Sequence, residues 1–365
     1  MKNFSNIKIL ALILTYSSFA MADHHANSKH DTQIKYISYS QLGNPADVLE
    51  VKKEASRALN SGEVRVKVLA APINPSDLLQ ISGNYGVDAV LPARPGSEGV
   101  GRVTEISPET KNLKVDQLVL LASGSTWAEE IVAPSEGFLP LPNLGPISAE
   151  VIEQLAMTAV NPLTALLMLT SYGDIEEGQW IAQSAANSAV GGYVIQLAKQ
   201  RGIKTVNIVR REGLADDLMA KGADVVLIDG PDLTAQIAAA TDNASIMLAL
   251  DPVGGDTYGR LADSLGYGGT LVTYGVLSGK PATLDTGKVI FNDTRLRGFW
   301  LYKWYQTATM QEMQAAFGQV IPLIANGTLK ANIDSRFTVD QIKQAVTRAW
   351  EGGRNGKVLI VPNPL

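Results

Sequence analysis

Cysteine is absent from this chain of 365 residues, and histidine is scarce. The three histidines are His24, His25 and His30, so the chain after Asp31 contains none. The missing thiols exclude disulfides, thiol catalysis and thiolate metal ligands, and we predict no metal site. Histidine, the commonest general base, is also missing from the body of the chain. Any catalysis must therefore use tyrosine, lysine, serine, carboxylates or a cofactor.

Positive charge and long apolar runs are also in short supply. Lysine and arginine number 31 against 36 aspartates and glutamates, a net charge of −5, so we expect no nucleic-acid partner. Past the N-terminus no apolar run reaches the length of a membrane helix, so we expect no stable membrane span. A hydrophobic content of 45% with 18% charged residues is typical of a folded globular protein.

The first 22 residues have the order of a secretory signal. Lys2 and Lys8 flank a short start, residues 9–14 are apolar, and Ala20-Met21-Ala22 is a small-x-small cleavage site. We therefore predict a signal peptide over 1–22, a flexible segment over 23–32, and an exported protein, periplasmic or secreted. The alternative is translation from Met21 and a cytoplasmic product.

Two patterns divide the rest of the chain. Up to about Val132, short β-like runs broken by glycine and proline predict a compact, mostly β domain; they include VRVKVLAAPI, GVGRVTEI and DQLVLLA. From about Trp180, strand-like runs such as QWIAQSA, TVNIVR and DVVLI alternate with helical patterns such as PDLTAQIAAA. This alternation predicts a doubly wound parallel sheet. Amphipathic helices near 309–326 and 339–350 and the apolar strand KVLIVP follow.

A turn with few glycines, QSAANSAVGG, follows the first strand of the alternating region. In a GxGxxG turn the glycines allow a tight bend, close approach to a pyrophosphate and close packing of helix on strand. Here those places fall on Ala186, Ser188 and Gly191, so only the packing glycine remains. Asn187 and Ser188 add side chains that can bind a phosphate. By itself the turn is equally typical of an ordinary connection between strand and helix.

Two arginines at the end of the next strand-like run indicate which dinucleotide binds. An NAD site places an acidic residue about 20 positions beyond the turn, whereas Arg210, followed by Arg211, lies 19 residues after Gly191. A carboxylate would repel a 2′-phosphate, and a guanidinium matches it with two hydrogen bonds. The pattern therefore favours NADP. The alternative is a pair of solvated arginines at a strand end.

Several motifs occur together and in order, and they resemble a known family: LAAPINPSD (69–77), GNYG (83–86), VNP (160–162), NSAVG (187–191), VNIVR (206–210), TYG (273–275) and LRGFWL (296–301). From about Ile34 to Val361 the chain is similar to the medium-chain dehydrogenase/reductase superfamily. Within it, the chain most resembles the zinc-free trans-2-enoyl thioester reductases of mitochondrial fatty-acid synthesis.

The resemblance implies an α/β fold of two domains. From the resemblance we expect a GroES-like, β-rich catalytic domain over 33–158 and 302–365. We also expect a doubly wound Rossmann domain that binds NADPH over 159–301. The resemblance also implies a homodimer, formed by edge pairing of the sheet near LRGFWL. Zinc-dependent relatives place a metal-binding cysteine and histidine where Asn74 and Ser97 stand here, so the resemblance also implies that catalytic zinc is absent.

The resemblance assigns the site residue by residue. Tyr85 in GNYG matches the proton donor, a role open to a phenol that stays protonated at neutral pH; the alternative is an aromatic that packs in a glycine-flanked loop. Trp300 has a similar alternative as a core residue. Ala189 stands where many relatives have glycine, and Arg211 is at a more variable position than Arg210. The implied cofactor-binding residues are Asn161, Asn187, Ser188, Ala189, Val190, Arg210, Arg211, Tyr274, Gly275, Val276, Leu277, Phe299, Trp300, Leu301 and Lys357.

These assignments predict an NADPH-dependent oxidoreductase that reduces the 2,3 double bond of a trans-2-enoyl thioester. The substrate partner is then a small molecule. Two alternatives stay open at this point. One is a zinc-free quinone-type reductase of the same superfamily, and the other is an exported binding protein without catalysis.

Overall fold

We describe the chain from a computed structural model, over residues 33–122 and 124–365. The predicted signal peptide and the predicted flexible segment (1–32) lie outside the described residues. The chain divides into two compact units. The first unit holds the described residues up to Ala159, with Ala308–Phe317 and Asn332–Leu365, and the second holds Val160–Thr307 and Gly318–Ala331. Among the described residues, no helix combines the length and apolar character needed to cross a membrane.

The strands, numbered in chain order, are β1 (Gln33–Ser38), β2 (Glu50–Ala55), β3 (Glu63–Pro72), β4 (Gly99–Ile106), β5 (Leu118–Leu121), β6 (Glu130–Pro134), β7 (Phe138–Pro140), β8 (Trp180–Gln183), β9 (Lys204–Val209), β10 (Val225–Ile228), β11 (Ile246–Asp251), β12 (Leu265–Thr273), β13 (Arg295–Gly298), β14 (Ile333–Phe337) and β15 (Lys357–Ile360).

The helices are α1 (Pro45–Val48), α2 (Pro75–Ile81), α3 (Ala149–Leu155), α4 (Asn161–Ser171), α5 (Ala189–Gln200), α6 (Ala215–Lys221), α7 (Leu233–Ala240), α8 (Gly255–Asp263), α9 (Thr286–Phe291), α10 (Leu301–Thr307), α11 (Met310–Ala325) and α12 (Ile342–Trp350). Two 3-10 turns lie at Ser135–Gly137 and Val339–Gln341.

The first unit is built on a seven-stranded sheet in the order β14-β15-β3-β4-β5-β7, with β6 paired to β3. Its longest strand, β3, alternates valines with polar residues, and Val64, Val66 and Val68 are fully buried. These valines pack with Val119 and Phe138 in one core. Alternation with a period of two buries one face of a strand, which is why the mostly β domain could be predicted.

A second core of the same unit lies under α12. Ile342, Ala345, Val346 and Ala349 are spaced to share one helix face, and all four are buried. This helical spacing confirms the predicted amphipathic helix near 339–350. The helix begins at Ile342 because the 3-10 turn before it holds the first residues of the predicted range.

The second unit contains six parallel strands in the order β10-β9-β8-β11-β12-β13. The chain runs outward from β8 through β9 and β10, then returns to the other side of β8 and runs outward again from β11. The reversal lies between β8 and β11, which confirms the predicted doubly wound sheet. In such sheets ligands bind beyond the carboxyl ends of the strands near that reversal.

Candidate active site

The turn after β8 leads directly into the N-terminus of α5. The Ser188 hydroxyl accepts a hydrogen bond of 3.1 Å from the N–H of Gly191, so Ser188 caps the helix. The first N–H groups of a helix have no partner inside it and favour an anion there. Asn187 is exposed, whereas Ala189 and Val190 are half-buried in that first turn.

The close packing around Gly191 explains why the turn keeps a glycine at this position. A Cβ atom added at Gly191 would lie 2.5 Å from the carbonyl oxygen of Ala186, which no side chain tolerates. At the same time Gln183, at the end of β8, donates a hydrogen bond of 3.0 Å to the Gly191 carbonyl. The helix therefore starts tight against its strand, as the packing glycine predicts.

Arg210 and Arg211 follow β9 at the same edge of the sheet, and both side chains are exposed. Because β9 pairs with β8 in parallel, the ends of the two strands are neighbours. The structure therefore places both arginines at the same sheet edge as the N-terminus of α5. A cofactor phosphate is expected to bind at this edge.

The loop after β12 carries the next predicted segment, Tyr274–Leu277. The N–H of Tyr274 bonds to the carbonyl of Asp251 at 3.0 Å, and the N–H of Leu277 to that of Pro252 at 2.9 Å. Val276 and Leu277 are 67% and 57% exposed, so the loop offers apolar side chains to solvent beside its fixed backbone.

The Tyr274 hydroxyl is buried and has no hydrogen-bond partner among the described residues, although Ser188 lies beside it. Burial and the Asp251 carboxylate raise the pKa of this phenol, which therefore stays a donor. A buried donor without a partner costs free energy, and a ligand that accepts its hydrogen bond removes that cost.

Phe299, Trp300 and Leu301 follow β13, also at the carboxyl edge of the sheet. The Phe299 N–H bonds to the Thr273 carbonyl at 2.9 Å, and its ring meets Tyr172 edge-on with centroids 6.3 Å apart. Trp300 is 39% exposed and is therefore no core residue, contrary to the alternative that the sequence left open.

Asn161, the first residue of α4, is buried. It belongs to the second unit, as do all the predicted cofactor-binding residues except Lys357. The structure thus places the segments after β8, β9, β12 and β13 along one sheet edge.

Tyr85 lies in the first unit, in the loop after α2, and its side chain is half-buried. Gly83 ends α2 with a positive φ of 76°, and the N–H of Asn84 reaches back to the Leu79 carbonyl at 2.8 Å. This is the glycine-terminated helix end in which the left-handed residue reverses the chain. The glycine of GNYG therefore sets the position from which Tyr85 projects.

Lys357 is held inside the first unit by the segment that starts α2. Its ammonium group donates hydrogen bonds to the Ile73 carbonyl at 2.9 Å and to Asn74 Oδ1 at 2.5 Å. The Asn74 amide in turn donates to the buried Glu98 carboxylate at 2.9 Å. Burial lowers the pKa of Lys357 to about 8 and raises that of Asp77 in the same cluster to about 6.

The donor set of the second unit fits a phosphorylated dinucleotide. A helix N-terminus, two arginines at the end of the neighbouring strand and an unpartnered buried phenol are all suited to anionic or polar oxygens. Asp251 is a functional candidate that was not predicted from the sequence, although the motif DPVGG directly after the apolar run IMLAL could have indicated it.

Comparison with known proteins identifies the family. Residues 60–143 match the model of the alcohol dehydrogenase GroES-like domain, and residues 189–318 match that of the zinc-binding dehydrogenases. The mitochondrial enoyl-[acyl-carrier-protein] reductase of Rattus norvegicus is 34% identical over 339 residues, which are 91% of this chain and 87% of the rat protein. The chain belongs to the medium-chain dehydrogenase/reductase superfamily.

Within the superfamily the chain belongs to the enoyl reductase group. The complex of Etr1p, a Candida tropicalis protein, with NADP and crotonyl-CoA has a TM-score of 0.82 at 26% identity and covers 90% of this chain and 100% of that one. A candidate NADPH:quinone reductase from Bacillus thuringiensis has a TM-score of 0.80 at 28% identity, with coverages of 91% and 100%. These matches confirm the predicted GroES-like and Rossmann domains.

The same relatives overturn one prediction. The rat reductase is mitochondrial by name, so the predicted export to the periplasm or the medium is wrong. That prediction rested on the composition of residues 1–22 alone, and a basic, apolar leader is a pattern that different targeting routes share in part.

The residues at the place of a catalytic metal do not fit zinc, despite the name of one matching model. Asn74 Oδ1 already accepts a hydrogen bond from the ammonium group of Lys357, and a buried ammonium there would repel a divalent cation. Among residues 33–122 and 124–365, no group of three or more histidine, cysteine, aspartate or glutamate side chains is arranged to hold a metal ion.

Proposed function

We propose that this chain is an NADPH-dependent oxidoreductase that reduces the 2,3 double bond of a trans-2-enoyl thioester without zinc. Its relatives support the reaction, since the rat protein is an enoyl-[acyl-carrier-protein] reductase and Etr1p was solved with NADP and crotonyl-CoA. The alternative of an exported binding protein without catalysis depended on the predicted export, which is wrong, so we do not retain it.

One structural observation carries the proposal. The α5 N-terminus and Arg210 stand at the carboxyl ends of two adjacent parallel strands. The first favours a pyrophosphate and the second a 2′-phosphate. Since an acidic residue at the end of β9 would have favoured NAD instead, the arginine is the feature that selects NADPH.

In the proposed reaction the residues of the chain bind the cofactor and donate a proton. When bound, NADPH supplies a hydride to the β-carbon of the enoyl thioester. The Tyr85 phenol donates a hydrogen bond to the enolate oxygen that develops on the thioester or delivers the proton to the α-carbon. The residues that bind near the nicotinamide are Asn161, Phe299, Trp300 and Leu301. Lys357, close to the C-terminal end of the chain, also contacts the cofactor.

The remaining cofactor residues and the domain bounds belong to the same proposal. We assign the pyrophosphate to Asn187, Ser188, Ala189 and Val190, and the 2′-phosphate to Arg210 and Arg211. The loop Tyr274, Gly275, Val276 and Leu277 borders the cofactor. The catalytic domain spans 33–158 and 302–365 and the NADPH-binding domain 159–301. The two compact units support the boundary near residue 159, whereas Leu301–Thr307 and Gly318–Ala331 group with the second unit.

We also propose that the chain forms a homodimer through the β13 edge of the sheet. β13 is the last strand in its order, and an edge strand with free backbone groups pairs readily with another chain. Large apolar side chains are exposed near this edge: Tyr267 is 75%, Ile290 73% and Phe291 80% exposed. Etr1p forms a heterodimer with Etr2p, which supports pairing between similar chains.

The test is NADPH oxidation by the purified protein with crotonyl-CoA or with a simple quinone, followed at 340 nm. We expect rapid oxidation with crotonyl-CoA and saturated acyl product. Faster oxidation with the quinone would favour the quinone-type reductase, to which the Bacillus thuringiensis structure is similar. Absence of NADPH binding in a fluorescence titration would contradict both enzymes.

A further inference from the structure

Asp251, at the carboxyl end of β11, connects two of the proposed cofactor segments. Its side chain is fully buried, and one carboxylate oxygen accepts a hydrogen bond from the Ser184 hydroxyl. The other accepts a hydrogen bond of 2.7 Å from the N–H of Gly254. Ser184 stands between β8 and the turn that starts α5, so this bond ties the start of that turn to the neighbouring strand.

The same short segment also holds the loop after β12. The carbonyl groups of Asp251, Pro252 and Val253 accept hydrogen bonds of 3.0, 2.9 and 3.0 Å from the N–H groups of Tyr274, Leu277 and Ser278. The backbone that allows this is strained for any residue with a side chain, because Gly254 and Gly255 have φ values of 75° and 59°. The Gly254 N–H bond to the Asp251 carboxylate fixes that conformation.

The position of the Asp251 carboxylate in the sheet explains how one side chain affects both segments. It lies at the reversal of the strand order, between the strand that leads to the pyrophosphate turn and the strand that leads to the Tyr274 loop. One of its oxygens binds Ser184, on the side of β8, and the other binds Gly254, in the segment that directly follows β11. Burial raises its pKa while the bonds from Ser184 and Gly254 lower it.

We propose that Asp251 is a positioning residue for NADPH: through Ser184 and Gly254 it holds the turn before α5 and the loop after β12 in the geometry that binds the cofactor. The proposal rests on the proposed function and adds a residue that does not touch the cofactor itself. A loss of these bonds should weaken NADPH binding and leave the recognition of the acyl substrate intact.

The test compares Asp251→Asn with Asp224→Asn as a matched control. Asp224 also accepts hydrogen bonds from a neighbouring strand, from the N–H of Thr205 at 2.8 Å and its hydroxyl at 3.3 Å, but at the opposite, amino-terminal edge of the same sheet. We expect Asp251→Asn to raise the Kd of NADPH about tenfold, because an amide carries no charge and its NH2 group cannot accept the hydrogen bond that one of the two donors gives to the carboxylate, and Asp224→Asn to leave it unchanged. The KM of crotonyl-CoA at saturating NADPH should not move.

The outcomes separate the positioning role from a structural one. A merely structural role would lower the active fraction and kcat without changing the Kd of NADPH, and that result, or an equal rise in Asp224→Asn, overturns the proposal. If Asp251→Asn does not fold, Ser184→Ala decides: we expect an increase in Kd of about threefold, and a wild-type Kd overturns the proposal. Wild-type protein that does not bind NADPH would instead contradict the proposed function, before any variant is made.

Discussion

The ammonium group of Lys357 donates a hydrogen bond of 2.5 Å to the side-chain oxygen of Asn74, and both residues are buried. The two residues are 283 positions apart in the chain, and the bond joins the last strand of the first unit to the start of α2. Asn74 and Asp77 form a capping box there, so the buried lysine stabilises the start of the helix whose other end leads to Tyr85.

Replacing Lys357 by methionine should therefore destabilise the protein. The variant removes the hydrogen bonds that the Ile73 carbonyl and Asn74 Oδ1 accept from the ammonium group, and each buried acceptor left without a partner typically costs about 1–3 kcal/mol. Urea unfolding at pH 7 measures it. Lys343→Met is the control, because Lys343 is exposed on α12 in the same unit; equal stabilities of the two variants would contradict the prediction.

The pH dependence gives a second measure of the same lysine. Its pKa is about 8 in the folded chain and 10.5 in its ordinary state, so between these values the unfolded chain binds more protons than the folded one. The free energy of unfolding of the wild type then rises with pH in this window. Lys357→Met lacks this proton, so the difference in stability between wild type and variant should widen from pH 8 to pH 10.

Tyr85→Phe should lower kcat and leave cofactor binding intact. Loss of a general acid typically costs about a hundredfold or more in rate, whereas the Kd of NADPH depends on other residues in the proposal. Steady-state kinetics with crotonyl-CoA and a fluorescence titration with NADPH measure the two effects. Tyr267→Phe, at an exposed tyrosine, should have wild-type kcat. Unchanged kcat in Tyr85→Phe would exclude the tyrosine as the donor.

Arg210→Ala should separate the two nicotinamide cofactors. Removing a guanidinium from a 2′-phosphate loses charge-assisted hydrogen bonds, which corresponds to a rise of roughly 10- to 100-fold in the Kd of NADPH. NADH has no 2′-phosphate, so its Kd should stay the same. Arg201→Ala, at the exposed C-terminal cap of α5, is the control. A parallel rise for both cofactors would show that Arg210 does not bind the 2′-phosphate.

Much of the fold follows from local patterns. The alternating valines of β3 and the helical spacing of α12 are visible in the sequence, because burying one face of an element imposes its own period. No local pattern indicated β13, since its residues Arg295–Gly298 are all exposed and an edge strand without a buried face has no such period; only the family resemblance pointed to a sheet edge near LRGFWL.

The site was less predictable where its contacts are long-range. The glycine-poor turn and Arg210 could be found because a strand followed by a helix fixes their spacing. The Ser184–Asp251 bond joins residues 67 positions apart, and no local pattern connects them. The buried bonds of Lys357 escaped prediction for the same reason, although the family resemblance had singled out the residue itself.

Phe291→Asp should convert the proposed homodimer into a monomer. The substitution places a charge on a ring that is 80% exposed and would be buried by a partner, where an unpaired charge is costly. Size-exclusion chromatography with light scattering measures the mass. Trp350→Asp, at another exposed aromatic, should remain dimeric. A monomeric wild type, or a Phe291→Asp dimer, would contradict the proposal.

Asp334→Asn should destabilise the first unit at neutral pH and much less in acid. The Asp334 carboxylate accepts hydrogen bonds of 2.8 and 2.6 Å from the Arg348 guanidinium, which lowers the pKa of Asp334 to about 2. The stabilisation is therefore fully present above the ordinary value of 3.8 and is lost as the pH falls through about 2. Since the Arg348 side chain is 36% exposed, solvent screens part of the interaction.

We expect Asp334→Asn to lower the Tm by a few degrees at pH 7, a typical result for the loss of one well-formed ion pair in a chain of this size. The difference from the wild type should shrink as the pH is reduced from 4 toward 2. Asp340→Asn breaks an ion pair with Lys35 in which the aspartate is 58% exposed, and it should leave the Tm nearly unchanged. A difference in Tm between Asp334→Asn and the wild type that is independent of pH would show that the carboxylate charge does not stabilise this unit.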